Sequence, residues 1–116
     1  LTLKKMTKIN CLIVKKLLSR YYSKIITIKS PNDLLINKKK ICGILQERIT
    51  INNINYMIVG IGINLVKNPK ISNYPTTNLL AETGKNISKF EVILKIKKLY
   101  EYFIPKLNTM KIKQIK

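Results

Sequence analysis

The chain has 116 residues, 23 basic against 5 acidic, for a net charge of +18, and 46% of it is apolar. That length supports one small domain with one modest core. There is no histidine, which excludes His-based acid–base catalysis, a Ser-His-Asp triad and the common zinc sites from within the chain.

No apolar run reaches the length of a membrane span, and the start, with Lys4-Lys5 followed by Lys8, Asn10, Lys15 and Lys16, does not read as a signal peptide. The first residue is Leu1 rather than Met, which reads as a fragment or a non-standard start. The high charge suggests a polyanion partner at first sight. Of the basic residues, however, only Arg20 and Arg48 are Arg, and Ala81 is the sole Ala. A surplus of Lys, Asn and Ile is what an A+T-rich coding sequence supplies, whereas base readout favours Arg and grouped aromatics. Nucleic acid is therefore the disfavoured partner. Cys11 and Cys42 lack metal-ligand spacing and sit in apolar surroundings. Two such thiols fit a reducing, cytoplasmic setting.

In chain order, Met6 to Tyr22 predicts an amphipathic helix, with Met6, Ile9, Ile13, Leu17 and Tyr21 on one stripe. Lys24 to Lys29 is β-branched and predicts a short strand, ended by Ser30-Pro31. Lys29-Ser30-Pro31-Asn32-Asp33-Leu34-Leu35 reads as a polar corner at a sheet edge and holds the only Asp in the chain. Lys40 to Ile51 and Ile54 to Leu65 predict an antiparallel pair turning at Asn52-Asn53. The second of these is almost continuously apolar from Tyr56, which predicts cover on both faces. Val66 to Pro75 reads as a loop, and Thr77 to Thr83 as a short helix closed by Gly84. Ser88 and Glu91 form a capping-box signature for a last helix running to about Ile104. Phe90, Ile93, Leu94, Ile96, Leu99, Tyr100 and Phe103 are its predicted apolar side, and Pro105 its end or kink. Lys106 to Lys116 reads as a frayed basic tail. The expected class is α+β: a mixed or antiparallel sheet with helices packed on one face, in a single domain over 1–116.

Three stretches carry chemistry. The first is the corner at Lys29–Leu35. The second is Lys38-Lys39-Lys40-Ile41-Cys42-Gly43-Ile44-Leu45, a Lys run entering a strand. The third is Val59-Gly60-Ile61-Gly62-Ile63-Asn64, a strand whose Gly residues let another group approach the backbone. Taken singly, each has a structural reading: an Asx-turn at Asn32-Asp33, solvated lysines at 38–40, and tight sheet packing at the glycines. Gly60-x-Gly62 is too short, and too far from a helix, for a dinucleotide fingerprint.

In order and spacing, Lys29-Ser30-Pro31-Asn32-Asp33-Leu34, then Lys40-Ile41-Cys42-Gly43-Ile44-Leu45, then Gly60-Ile61-Gly62-Ile63-Asn64 resemble the biotin-protein ligases. Pro75-Thr76-Thr77-Asn78-Leu79 is similar to that family's loop into its late helices. The resemblance covers most of the chain and implies the class II synthetase-like catalytic fold. It implies that ATP and biotin form biotinyl-adenylate, with Mg²⁺ accompanying the nucleotide. The biotinyl group then passes to a lysine of the biotin carboxyl carrier domain of acetyl-CoA carboxylase. On this resemblance Lys40 is the active-site cation facing carboxylate and phosphate, and Asp33 the group that orients or deprotonates the acceptor amine. Asn32, Gly43, Gly60, Gly62, Ile63 and Asn64 bind biotin and adenylate, Ile63 as an apolar wall and Asn64 as a hydrogen-bonding group. No carboxylate cluster for a protein-held metal is visible. A homodimer, or a complementing upstream half, is the partner that the family's habits suggest.

The sequence departs from the family at three points. Ser30 stands where the family has Trp. The family's Gly-Arg-rich loop, which lies upstream and covers the ligand, is not in this chain, nor is its small C-terminal β-barrel domain. The expectation is a partial catalytic domain that binds biotin weakly alone. Lipoate ligases share the fold, but Pro31-Asn32-Asp33-Leu34 favours biotin. The competing readings are a small basic nucleic-acid-binding protein and a non-catalytic module that docks the carrier domain.

Overall fold

Thr2 starts the first helix by capping it: its hydroxyl accepts from the Lys5 amide at 3.1 Å. Helix α1 therefore runs Leu3–Leu18 in the computed structural model, which describes residues 2–113, with side chains through 106. It begins earlier than the apolar stripe alone indicates and stops before Tyr21. Lys15 and Lys16 lie in its last turn, where they complement the helix dipole. Its buried face is wider than the predicted stripe and includes Asn10, Cys11, Val14 and Leu18 beside Ile13 and Leu17.

Strands β1 (Thr27–Lys29), β2 (Asp33–Ile36), β3 (Lys39–Ile51) and β4 (Ile54–Ile63) form a four-stranded antiparallel meander, in that order, among the described residues. The corner shrinks to Ser30-Pro31-Asn32, because Asp33 already pairs with Lys29 on one side and Gly43 on the other. β1 is shorter than predicted, and Ile25 is exposed before it. The turn between β2 and β3 is Asn37-Lys38, both at positive φ. The Asn52-Asn53 turn has φ values of 51° and 65°, which suits the right-handed twist of its two strands.

β4 corrects the expectation of cover on both faces. Val59, Ile61 and Ile63 pack against the core, while Tyr56, Ile58, Gly60 and Gly62 alternate onto an open face. Its apolar run is not the mark of a strand buried on both sides in this fold.

Helix α2 spans Leu79–Thr83, capped by Asn78, whose Oδ1 accepts from the Ala81 amide at 2.8 Å, and closed by Gly84 at φ 73°. Helix α3 spans Lys89–Lys113 and passes through Pro105 rather than ending there. Pro105 is exposed. The helical geometry also replaces the frayed tail up to residue 113; the remainder of that tail lies outside the described residues. The capping box is half-formed. Ser88 Oγ accepts from the Glu91 amide at 3.4 Å, but the Glu91 carboxylate accepts from the Tyr21 hydroxyl instead of turning back. The inward side of α3 is Val92, Ile96, Leu99, Tyr100 and Phe103; Phe90, Ile93 and Leu94 face outward.

One core joins these elements. Cys11, Val14, Leu17 and Leu18 of α1 meet Leu34 and Ile36 of β2, Cys42 and Ile44 of β3, and Val92 and Leu99 of α3. Apolar burial on this scale is the dominant favourable term in a domain of this size. Within the core Asn10 is fully buried but paired: it donates to Gln46 Oε1 at 2.7 Å and accepts from the Tyr100 hydroxyl at 2.9 Å. The helices cover one face of the sheet and leave the other open.

Candidate active site

Simple strand alternation would put Lys40 and Gly43 on opposite faces of β3. A shift in the β2–β3 register prevents this. Leu34 pairs with Cys42, but Leu35 pairs with Lys40, so Ile41 is an extra residue with no partner in β2. A bulge of this kind re-aims the side chains beyond it. Asp33, Gly43 and Lys40 therefore share one face, and Lys40 Nζ lies 3.4 Å from Asp33 Oδ1. The two side chains are 29% and 18% exposed, so the pair is sheltered but reachable. Gly43 makes room for it: a Cβ there would stand 3.0 Å from Lys40 Cε and Nζ.

The Lys40 backbone is held on its other side by the segment that precedes α2. The Lys40 amide donates to the Pro75 carbonyl at 2.9 Å, and the Thr77 amide donates to the Lys40 carbonyl at 2.9 Å. Asn64 ties the two together, its Nδ2 donating to the Thr77 carbonyl at 3.0 Å and the Lys40 carbonyl at 3.5 Å. The Asn64 amide donor thus fixes the Lys40 segment at the border of the cleft. Asn32 is likewise engaged. Its Nδ2 donates to the Ile44 carbonyl while the Ile44 amide donates to the Asn32 carbonyl. Neither Asn32 nor Asp33 uses its side chain in a local Asx-turn, because each is directed across the sheet or loop.

Asn32, Asp33, Lys40, Gly43, Gly60, Gly62, Ile63 and Asn64, all singled out from the sequence, border one cleft of about 750 Å³ together with Leu45, Pro69, Ile71 and Thr76. Gly60 and Gly62 are not required by tight packing. A Cβ would meet only the Leu45 carbonyl at 3.7 Å and the Gly43 carbonyl at 3.8 Å, ordinary contact distances. Their effect is a strip of bare backbone along the cleft. Ile63 borders the cleft and also packs, partly buried, against the core. Pairing with buried Cys42, and lying on the same side as Val59 and Ile61, it turns its side chain to the core. Exposed apolar surface on the cleft side comes from Leu45, opposite Gly60, and from Ile71.

Tyr74 carried no signal in the sequence, where it is one aromatic in a polar loop. Its hydroxyl donates to Asp33 Oδ2 at 2.5 Å. Its ring lies under two ammonium groups, Lys29 at 4.5 Å and Lys40 at 5.6 Å. The bond to Asp33, then burial, pushes the Tyr74 hydroxyl above the usual phenol range. Beneath the site burial pushes the Cys42 thiol up to about 12, and raises Cys11 as well. Both are inert as nucleophiles at neutral pH.

Among the described residues no group of three or more His, Cys, Asp or Glu could hold a metal. Asp33 is the one carboxylate bordering the cleft, and it is already shared by Lys40 and Tyr74. The donor set does not fit a protein-held Mg²⁺, whose oxygen shell would have to come from nucleotide phosphates and water. No described helix is long and apolar enough to cross a membrane.

The model of the biotin/lipoate A/B protein ligase family matches residues 3–64, a stretch that contains both strand motifs and ends at Asn64. The chain belongs to that family. The bifunctional ligase/repressor BirA of Bacillus subtilis is 37% identical over 81 residues, 64% of this chain and 24% of that protein. The apo biotin protein ligase of Aquifex aeolicus superposes with a TM-score of 0.74 at 29% identity, over 90% of this chain and 47% of that one. The same enzyme in complex with biotin and ATP superposes with a TM-score of 0.76, over 99% of this chain and 47% of that one. The chain thus spans about half the length of these solved relatives. Its α+β fold is that of the biotin ligase catalytic domain.

Proposed function

We propose that this ligase-family chain carries the adenylate-forming site of a biotin-protein ligase, as part of a catalytic domain whose remaining strands and covering loop lie elsewhere. The observation that supports this best is the meeting of three separated motifs on one cleft, with Lys40 and Asp33 paired at its edge. Relatives of this fold at 28% and 29% identity were solved with biotin, and with biotin and ATP.

In the first step a biotin carboxylate oxygen attacks the α-phosphorus of ATP, forming biotinyl-adenylate and releasing pyrophosphate. Lys40 supplies a fixed cation on a strand, facing the charge that gathers at phosphorus. The bare backbone at Gly60 and Gly62 lets the ligand lie flat on the sheet, and Leu45 offers apolar surface beside it. In the second step the amine of an acceptor lysine attacks the acyl carbon, and AMP leaves as the amide forms. The amine's proton passes to Asp33 or to water that Asp33 orients. Carrier domain, cytoplasmic setting and homodimer belong to this reading. So does Mg²⁺ arriving on the nucleotide.

The test is biotin-dependent exchange of labelled pyrophosphate into ATP by the purified chain, with and without a separately supplied upstream half, and with Lys40→Ala as control. Exchange abolished by Lys40→Ala supports the reading. Exchange driven by lipoate and not by biotin moves the chain to the other branch of its family. No exchange in either mixture refutes an adenylate-forming role.

A further inference from the structure

Asp33 and Lys40 are close enough to close on each other. A carboxylate with both oxygens free can draw a neighbouring ammonium into a charge-assisted hydrogen bond of about 2.7–2.9 Å, which would quench the cation and turn it from the cleft. That does not happen here. Asp33 Oδ2 is occupied by the Tyr74 hydroxyl, and Oδ1 stands 3.4 Å from Lys40 Nζ, longer than such a bond. Tyr74 itself does not border the cleft, so it reaches the site only through its neighbours.

The loop bearing Tyr74 is braced. The Tyr74 amide donates to the Ile71 carbonyl at 3.2 Å, and Thr76 Oγ1 donates to the Pro69 carbonyl at 2.6 Å. Asn68 donates to Thr76 Oγ1 at 2.6 Å and accepts from Asn78 at 2.7 Å. The phenol is thus delivered to Asp33 by a loop tied to the cap of α2 and to the segment that clamps Lys40. Lys29 and Lys40 stand against the ring of the same residue.

We propose that Tyr74 is the positioning residue of this site: its hydroxyl holds one oxygen of Asp33 so that the other shares Lys40 without capturing it, and its ring keeps the Lys40 ammonium beside the cleft. This rests on the ligase reading for its consequence, though not for its geometry. The raised phenol is consistent with a hydroxyl that stays protonated as the donor.

Asp33 is the single aspartate of the chain, so the full chain made with aspartate labelled at the side-chain carboxyl carbon gives one carboxylate signal by NMR. In Tyr74→Phe that signal moves away from its parent position, with the circular dichroism spectrum unchanged. In the same variant kcat for biotin transfer to an acceptor lysine falls roughly tenfold, the loss of one hydrogen bond to a charged group, with KM for biotin and ATP held. Tyr74→Leu, which also removes the ring, falls further. A parent chain without biotin-dependent turnover counts against the ligase reading alone, because the carboxyl signal still reports the phenol contact. A folded Tyr74→Phe whose Asp33 signal coincides with the parent's overturns the proposal, as does a variant that changes KM and leaves kcat intact. Should Tyr74→Phe fail to fold, the reciprocal Asp33→Asn chain is read at the Tyr74 ring protons, and ring signals that do not move overturn the proposal equally.

Discussion

Gly43→Ala separates what Gly43 does for the fold from what it does for the site. Gly43 has no positive φ, so alanine meets no backbone strain there. Replacing a strand glycine by alanine contributes about 0.5–1 kcal/mol through lost unfolded-chain entropy. Against this, the new methyl would stand 3.0 Å from Lys40 Cε and Nζ, where ordinary contact begins at 3.4 Å. Those atoms are the mobile end of a side chain, and the ion pair they would leave is partly exposed, so its loss costs about 0–1 kcal/mol. The net stability change is therefore within about 1 kcal/mol of zero. The functional change is larger. Lys40 Nζ must retreat by a few tenths of an ångström, and since a misplacement of about 1 Å costs on the order of a hundredfold, the rate should fall roughly fivefold to tenfold. Urea denaturation and pyrophosphate exchange on the same preparation provide the assay. A stable variant that exchanges within threefold of the parent would refute the view that Gly43 exists to seat Lys40. So would a stability loss of several kcal/mol.

Asn64→Ala removes two donations to backbone carbonyls and leaves the Thr77 carbonyl without its side-chain partner; denaturation should show a loss of about 1–3 kcal/mol. Gly84→Ala forces a side chain to φ 73° with nothing crowding it. It should cost about 1 kcal/mol in thermal or urea unfolding and leave exchange unaltered. Asn10→Ala strands the Gln46 and Tyr100 partners and should cost about 2–4 kcal/mol, read the same way. For pH, burial raises Cys42 and Tyr100 to about 12 each in the folded chain, from ordinary values of 9.0 and 10.0. The unfolded chain then loses those protons first on the alkaline side, so stability is full below pH 9 and falls as pH climbs toward 12. Urea midpoints measured across that range should decline, and a flat profile to pH 11 would contradict the burial of both groups.

Much of the fold was legible because local rules and tertiary packing agree in it. The first helix, the Asn52-Asn53 hairpin, the Gly84 cap and the one-sided helical layer all follow from capping, turn and periodicity rules applied over a few residues. Misreadings arose where a local rule met a tertiary setting. The apolar run of β4 reads as a strand covered twice, yet only its Val59, Ile61 and Ile63 side is packed. Pro105 reads as a stop, yet helical geometry continues through it to Lys113. Glu91 reads as half of a capping box, yet Tyr21 from another helix's end takes its carboxylate. The β2 strand was hidden inside the polar corner because its burial pattern spans only four residues.

By itself the sequence singled out eight residues in three motifs, whose order and spacing are one-dimensional facts, and those eight border one cleft. It also determined the absence of histidine chemistry. What only tertiary structure decided is how each member is used. A single extra residue at Ile41 puts Lys40 on the face of Asp33, and a register shift depends on two strands at once. Asn64 turns its amide to Lys40 and Thr77, Ile63 turns inward, and Tyr74 arrives from a loop 41 residues beyond Asp33. Direction of a side chain is set by pairing across strands and by contacts between distant segments, and neither is a property of any window along the chain.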